Sequence, residues 1–148
     1  MIRFRPASET DVPSVVALLS DDILGRTRER DVDAAYLAAF RAMAAEGHNH
    51  LIVGEESGRI VATYQITFIS GLSLRAARRA QVESVRIASD LRGKGIGALL
   101  MADAEARARA AGCTLMQLTT NKTRADARRF YERLGFTPSH IGYKRDLS

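Results

Sequence analysis

The sequence is short of cysteine, of long apolar runs and of charge gathered in one place, and each shortage removes a class of protein. Its one cysteine, Cys113, allows neither an internal disulfide framework nor a multi-cysteine metal site. No stretch nears the roughly 20 consecutive apolar residues that span a bilayer. The opening residues, MIRFRPASETD, lack the apolar centre of a secretory leader. The chain therefore reads as a cytoplasmic protein with no membrane partner. Repeats, linkers and low-complexity segments are missing too, so residues 1–148 read as a single domain. The net charge of +5 comes from 22 Lys and Arg against 17 Asp and Glu, scattered along the chain. Scattered cations suit an anionic small ligand better than nucleic acid, which needs a basic patch or stripe. HNH at residues 48–50 offers two histidines with no third ligand nearby, so no metal is expected.

What is present alternates between two periods. Ile2 and Phe4 alternate with Arg3 and Arg5 as far as Pro6, a first strand. Thr10 is expected to cap a helix with Pro13 in its first turn and Val12, Val15, Val16 and Leu19 at helical spacing. A second helix is predicted from about Asp31 to Glu46, closed by Gly47, with Tyr36, Leu37, Phe40 and Met43 as its apolar face. NHLIVGEE and RIVATYQITFI read as a hairpin turning at Ser57 and Gly58. After an Arg-rich connection comes QVESVRIA, whose alternation sets Glu83, Val85 and Ile87 on one side and Val82, Ser84 and Arg86 on the other.

Beyond residue 95 a helix is predicted with Ile96, Leu99, Leu100 and Ala104 on one face and Gly112 as its stop. CTLMQLTT reads as a short buried strand with Cys113 as a packed apolar residue. RADARRFYERLG gives a helix with Ala127, Phe130, Tyr131 and Leu134 on one stripe, and HIGYKRDL a final strand. The order β-α-α-β-β-β-α-β-α-β is that of an α/β fold. Short connections make its earlier strands antiparallel, and one helical crossover adds a parallel pair, so the sheet is mixed.

Between strand and helix lies LRGKGIG, residues 91–97. Glycine inside a helix costs about 1 kcal/mol relative to alanine, so three in five residues need a reason. A glycine-rich turn at a helix N-terminus is a prepared anion site, because unpaired N–H groups and the positive end of the dipole point at whatever binds. Gly93, Gly95 and Gly97 let phosphate oxygens approach the backbone, and Arg92 and Lys94 add charge. No P-loop ending of Lys followed by Ser or Thr is present. A dinucleotide fingerprint needs an acidic residue ~20 positions later, where LMQLTTN stands instead.

R-G-K-G-I-G at residues 92–97 resembles the Q/R-x-x-G-x-G/A motif of the GNAT acetyltransferase superfamily, and RRFYERLGF resembles that family's FYxxxGF segment. The element order is similar from end to end. The resemblance implies a mixed, mostly antiparallel central sheet, splayed at its middle, with helices on both faces. It implies acetyl-CoA as co-substrate and an amine of a small molecule or peptide as acceptor. It assigns the pyrophosphate to the backbone of Arg92, Gly93, Lys94, Gly95, Ile96, Gly97 and Ala98. The pantetheine arm falls to the central strand around Val85, Arg86 and Ile87, through main-chain groups of Val85 and Ile87.

By the same resemblance Glu83 is the general base and Tyr131 the acid that protonates the leaving thiolate. Many family members place an Asn where this sequence has Arg124, and Asn121 stands three residues earlier, so either could meet the cofactor arm. Arg75, Arg78 and Arg79 suit an anionic acceptor or a contact with a second subunit, since dimers are common in the family. The competing reading is a non-catalytic module that binds CoA or regulates.

Overall fold

Five strands form one sheet in the order β1 (Arg3–Pro6), β2 (Asn49–Glu56), β3 (Arg59–Ile69), β4 (Arg79–Ile87), β5 (Leu115–Leu118). The first four pair antiparallel. The computed structural model describes residues 1–20 and 33–148. Its helices are α1 (Val12–Ser20), α2 (Asp33–Glu46), α3 (Ile96–Ala110) and α4 (Ala125–Arg133). The predicted start of the second helix at Asp31 lies outside the described residues. Two compact units divide the chain, Met1–Gln117 and Leu118–Ser148. Among the described residues no helix is long and apolar enough to cross a membrane, and no group of three or more His, Cys, Asp or Glu could hold a metal ion.

In the first unit, alternation divides the sheet into two faces. Ile52, Tyr64, Ile66, Val82 and Ala80 point one way, and all are buried. Burying each of the larger side chains stabilises the fold by about 1.5–3 kcal/mol. Helix α3 packs on this face through Ile96, Leu100, Met101, Ala104 and Ala108. The predicted stripe is corrected here: Leu99 is 57% exposed, and Met101 takes its place inside. Small Ala104 and Ala108 bring the helix axis close to the strands. Tyr64 Oη donates to Asp103 Oδ2 at 2.6 Å, and Arg107 Nε donates to the same oxygen at 2.8 Å. Burial, helped by the carboxylate, pushes the Tyr64 phenol well above its usual range. Arg107 also reaches the Phe4 carbonyl at 3.3 Å, so one polar chain ties α3 to β3 and β1.

The opposite face carries α1 and α2. Tyr36, Leu37, Phe40 and Met43 are the half-buried residues of α2 described, as its spacing predicts. The cap of the first helix differs from expectation. Ser8, not Thr10, opens a 3-10 turn at Glu9–Asp11 that runs into α1. Ser8 N donates to Asp11 Oδ2 at 2.7 Å, and Asp11 in turn is gripped by Arg5 Nη1 at 2.8 Å and Nη2 at 3.1 Å. Arg5 also donates to Glu55 at 2.7 Å, which locks the start of α1 to β1 and β2.

The β2–β3 hairpin turns at Ser57 and Gly58 with φ of 51° and 78°, the left-handed pair a two-residue hairpin favours. Gly54 has no room for a Cβ, which would lie 2.9 Å from Phe4 Cε1. The connection before β4 is a left-handed turn over Ser73–Ala76.

The second unit holds α4 and the residues around it. Asn121 Oδ1 accepts from Thr123 N at 3.0 Å and Thr123 Oγ1 at 2.7 Å, a turn that leads into the helix. Tyr131 meets Phe130 and Phe136 edge-on, at centroid distances of 5.2 and 5.9 Å. Two sequence expectations are corrected. Residues 140–147 form no strand; Ile141, Tyr143 and Leu147 are 80%, 90% and 91% exposed, so their alternation has no ladder to join. Strand β5 is half-buried and not fully buried, since its single neighbour in the sheet order is β4.

The Arg5 guanidinium holds the Asp11 carboxyl down at about 2, against 3.8 in the unfolded chain. A depressed carboxyl stabilises the fold above its unfolded value and loses that effect as the pH falls through the folded one. Discounted for water that reaches Arg5, the pair should contribute about 1–2 kcal/mol at pH 7. Denaturant midpoints measured from pH 6 to 2 should fall below about pH 4 in the parent protein. In Asp11→Asn that acid-dependent part should be absent.

Candidate active site

Strand β4 changes phase in its middle. Thr63 stands opposite Arg86 and Gln65 opposite Glu83, so the single residue Tyr64 faces both Ser84 and Val85. Such a bulge leaves an extra residue outside the ladder and bends the strand. Ser84 takes φ of +54°, a left-handed backbone that costs an L-residue roughly 1–2 kcal/mol.

The consequence for side chains is a correction to simple alternation. Glu83, opposite Gln65, and Arg86, opposite Thr63, share the face of α1 and α2. Ile87, opposite Ala62, shares the α3 face with Val82. Glu83 is therefore parted from Ile87, with which strict alternation had grouped it. Main-chain groups are indifferent to this exchange, so a backbone role for Val85 and Ile87 is unaffected. Glu83 is exposed and Arg86 half-buried.

Beneath α1 and α2 on this face lies a cavity of about 110 Å³. Val12, Val15, Phe40 and Met43 wall it, and Thr63 and Ser84 form part of its floor. A polar row crosses the sheet on the same face. Asn49 Oδ1 accepts from Gln65 Nε2 at 2.8 Å, and Gln117 Nε2 donates to Gln81 Oε1 at 2.6 Å.

After β4 the chain makes a 3-10 turn at Ser89–Leu91 and enters the glycine segment. Arg59 holds Asp90 with two bonds, Nη1 to Oδ2 at 2.9 Å and Nη2 to Oδ1 at 2.8 Å, and keeps the Asp90 carboxyl below its ordinary range. The family resemblance implies a β-bulge in this central strand, but neither its place at Ser84 nor the Arg59 anchor could be read from the residues. A 31-residue separation hides the anchor, and a left-handed serine leaves no compositional mark.

Gly93 and Gly95 have φ of 78° and 80°, which explains glycine at both positions. A Cβ at either would meet nothing within 4 Å, so the backbone borders open space. Gly95 is the N-cap of α3 and provides no side-chain cap. The first-turn N–H groups of Ile96, Gly97 and Ala98 thus have no helical carbonyl to bond and face the opening with the positive end of the dipole. Lys94 is exposed beside them, as is Arg92. A segment of this form can receive an anion through its main chain.

The remaining candidates lie in or near the ends of the strands. Arg78 lies over the Phe68 ring at 5.8 Å and donates to the Ala111 carbonyl at 3.0 Å. Arg75 is exposed in the left-handed turn. His50 packs on Phe68 at a centroid distance of 5.5 Å. Cys113 is buried, and burial pushes its thiol up, away from the reactive thiolate. In the second unit Arg124 is exposed at the N-cap of α4 and Tyr131 half-buried within it.

Residues 15–136 match the Acetyltransferase (GNAT) family. The chain belongs to the GNAT acetyltransferase family. Among its relatives, the aminoalkylphosphonate N-acetyltransferase of Salmonella typhimurium is 31% identical over 143 residues, 97% of this chain and 90% of that protein. An L-methionine sulfoximine/L-methionine sulfone acetyltransferase of Pseudomonas paraeruginosa is 29% identical over 136 residues, 89% of this chain and 78% of its own. A solved structure from Bacillus halodurans C-125, described as a transcriptional regulator, is 43% identical with a TM-score of 0.95 and covers 99% of this chain and 100% of that one. By membership this GNAT protein is an acyltransferase, and its mostly antiparallel five-stranded sheet with helices is the family fold.

The bulge should respond to substitution in an unusual order. Ser84→Gly should stay within about 0.5 kcal/mol of the parent, because relief of the left-handed strain offsets glycine's entropy. Ser84→Val, with a β-branched side chain at positive φ, should cost about 2 kcal/mol. Chemical denaturation of the two variants measures both.

Proposed function

We propose that the protein transfers an acetyl group from acetyl-CoA directly to a primary amine of a small molecule or peptide, in a ternary complex. The observation that carries this is the open glycine segment, whose backbone N–H groups at the α3 N-terminus border space free of side chains. Arg92, Gly93, Lys94, Gly95, Ile96, Gly97 and Ala98 would hold the pyrophosphate there. Val85 and Ile87 would pair with the pantetheine amides through main-chain groups, with Arg86 alongside. The bulge supports this, since it takes a residue of the Ser84–Val85 pair out of the β3 ladder. Asn121 and Arg124 are further candidates for the cofactor arm. The engagement of the Asn121 carbonyl oxygen with Thr123 favours Arg124 as the donor of that contact.

The chemistry needs a neutral amine. Glu83 takes a proton from the ammonium, directly or through a water, and the nitrogen lone pair attacks the thioester carbonyl. The N–C bond forms, the C–S bond breaks, and Tyr131 donates its hydroxyl proton to the departing thiolate; the second proton, lost by the nitrogen as the amide forms, restores the Tyr131 hydroxyl through solvent. Small amine acceptors are supported by the relatives, whose names give an aminoalkylphosphonate in one case and methionine sulfoximine or sulfone in another. A cytoplasmic address accords with one unpaired cysteine. The second reading is a regulatory module that binds ligand without turnover. It is favoured by one observation, the description of the Bacillus halodurans relative as a transcriptional regulator.

Two measurements separate these readings. Acetyl-CoA at 100 times its dissociation constant should stabilise the fold by about 2.7 kcal/mol and raise the melting temperature by roughly 5–10 °C; no shift would overturn the cofactor assignment. Release of free CoA thiol, followed across a panel of amines, should then reveal turnover. Glu83→Gln should lower kcat/KM by about 100-fold and flatten its rise with pH while leaving acetyl-CoA affinity intact. Unchanged turnover would move the base elsewhere, and an absence of turnover in the parent would favour the regulatory module.

A further inference from the structure

Some half-buried arginines hold carboxylates, and others, Arg78 and Arg79 among them, are held by neutral oxygens. Arg5 grips Asp11 and Glu55, and Arg107 grips Asp103. Arg79 instead donates from Nη1 to Gln117 Oε1 at 3.0 Å and from Nη2 to Ser73 Oγ at 3.2 Å. Both partners are neutral, and among the described residues no carboxylate forms an ion pair with it. A guanidinium has five donors; the two bonds leave three in a planar fork suited to a carboxylate or tetrahedral oxyanion. The fork is also fixed in direction. Gln117 cannot turn its amide without losing the 2.6 Å bond from Nε2 to Gln81 Oε1, so its oxygen stays presented to Arg79.

Register sets where this charge lies. Arg79 pairs with Ile69, Gln81 with Thr67 and Glu83 with Gln65, so the three β4 side chains share the face of α1 and α2. Ile69 is 39% exposed, which leaves the Arg79 end of the row open to solvent. Glu83 stands four positions after Arg79, about 13 Å along the strand. Gln81 lies between them on the same face. A molecule that met both Arg79 and Glu83 would carry an anion at one end and a cation at the other.

We propose that Arg79 recognises an oxyanion group on the acceptor, so that the substrate is a small primary amine carrying a carboxylate or phosphonate-type group. The inference rests on the acetyltransferase reading above and deepens it. The amine meets Glu83, and the anion meets the Arg79 fork, which Gln117 and Ser73 hold in place. Arg79 is a specificity-determining residue and takes no part in proton transfer. Carboxylate and phosphonate share this recognition.

The test compares amines matched in length with and without an anionic end: propylamine, β-alanine and 2-aminoethylphosphonate, assayed by CoA thiol release. The parent should prefer an anionic amine over propylamine by about 100-fold in kcat/KM, and the ratio of the two anionic substrates identifies which oxyanion is used. Arg79→Gln should raise KM for the preferred anionic amine by about 100-fold, with kcat within about threefold and KM for acetyl-CoA unchanged. Propylamine turnover should not move. Arg79→Lys should recover part of the loss, since charge returns without the fork. Equal use of neutral and anionic amines, or an equal loss for all of them in Arg79→Gln, overturns the proposal. Methylphosphonate and acetate, added without amine, test Arg79 independently of turnover. One of them should raise the melting temperature of the parent and neither that of Arg79→Gln. Absence of any such shift in the parent counts against Arg79 recognition, whereas absence of turnover with the shift present counts against the enzyme reading alone.

Discussion

One extra residue in β4 organises the site. Because Ser84 and Val85 together face Tyr64, the strand enters the bulge with one phase and leaves it with the other. Before the bulge, Arg79, Gln81 and Glu83 line the face of α1 and α2. After it, Arg86 holds that face, and Ile87 turns toward α3. A regular strand would carry Glu83 and Ile87 on the same side and would leave no residue out of register. The bulge thus separates two tasks within a few residues. Side chains stay on the face of the polar row, and main-chain groups around Val85 become available at the point where the ladder is interrupted.

The strain at Ser84 persists because its surroundings are fixed from both sides. Tyr64, the residue opposite, is fully buried, and its hydroxyl is held by Asp103 of α3. Arg107 shares that carboxylate and continues to β1. The helix whose N-terminus forms the glycine cradle is therefore bound, through one carboxylate, to the strand residue opposite the bulge. Gly93 and Gly95 complete the geometry from the other end, since only a residue without Cβ adopts their positive φ cheaply. Arg59 restrains the approach to them by holding Asp90. The cradle is a backbone feature framed by side chains that never enter it.

Much of this was legible in the sequence, and the limits have physical causes. The β2–β3 hairpin could be read closely, because its strands alternate and its turn needs two left-handed residues. The glycine segment could be read because glycine is the visible trace of positive φ. Ser84 adopts the same kind of backbone with an ordinary side chain, so the position of the bulge left no mark, nor did the true facing of Arg86 and Ile87. Leu99 was misplaced for a related reason. A helical face is as wide as its neighbours allow, and small Ala104 and Ala108 turned the buried stripe toward Met101. Ser8 and Thr10 are both plausible caps by residue type; the grip of Arg5 on Asp11 selects Ser8, and no local rule contains a partner on another strand. Residues 140–147 have a strand's alternation, yet alternation makes a strand only when a neighbouring edge accepts it.

The donor and acceptor sides of the proposed reaction are specified by different means. A pyrophosphate held by N–H groups requires glycines at particular φ values and little else, so the cradle is compatible with many side chains around it. In the proposed reaction the acceptor would meet side chains: a carboxylate at Glu83, an amide pair at Gln81 and Gln117, and a guanidinium at Arg79. Changing one of these alters which molecule is bound without disturbing the helix or the bulge. The net charge of +5 acquires a local meaning on this view. Arginines that hold carboxylates are already spent on the fold, as Arg5, Arg59 and Arg107 are. A charge secured only by neutral oxygens keeps most of its electrostatic attraction for an incoming anion. Its position on the row of Glu83 would make that attraction selective in the proposed reaction, because an anion bound there would bring its own amine to Glu83.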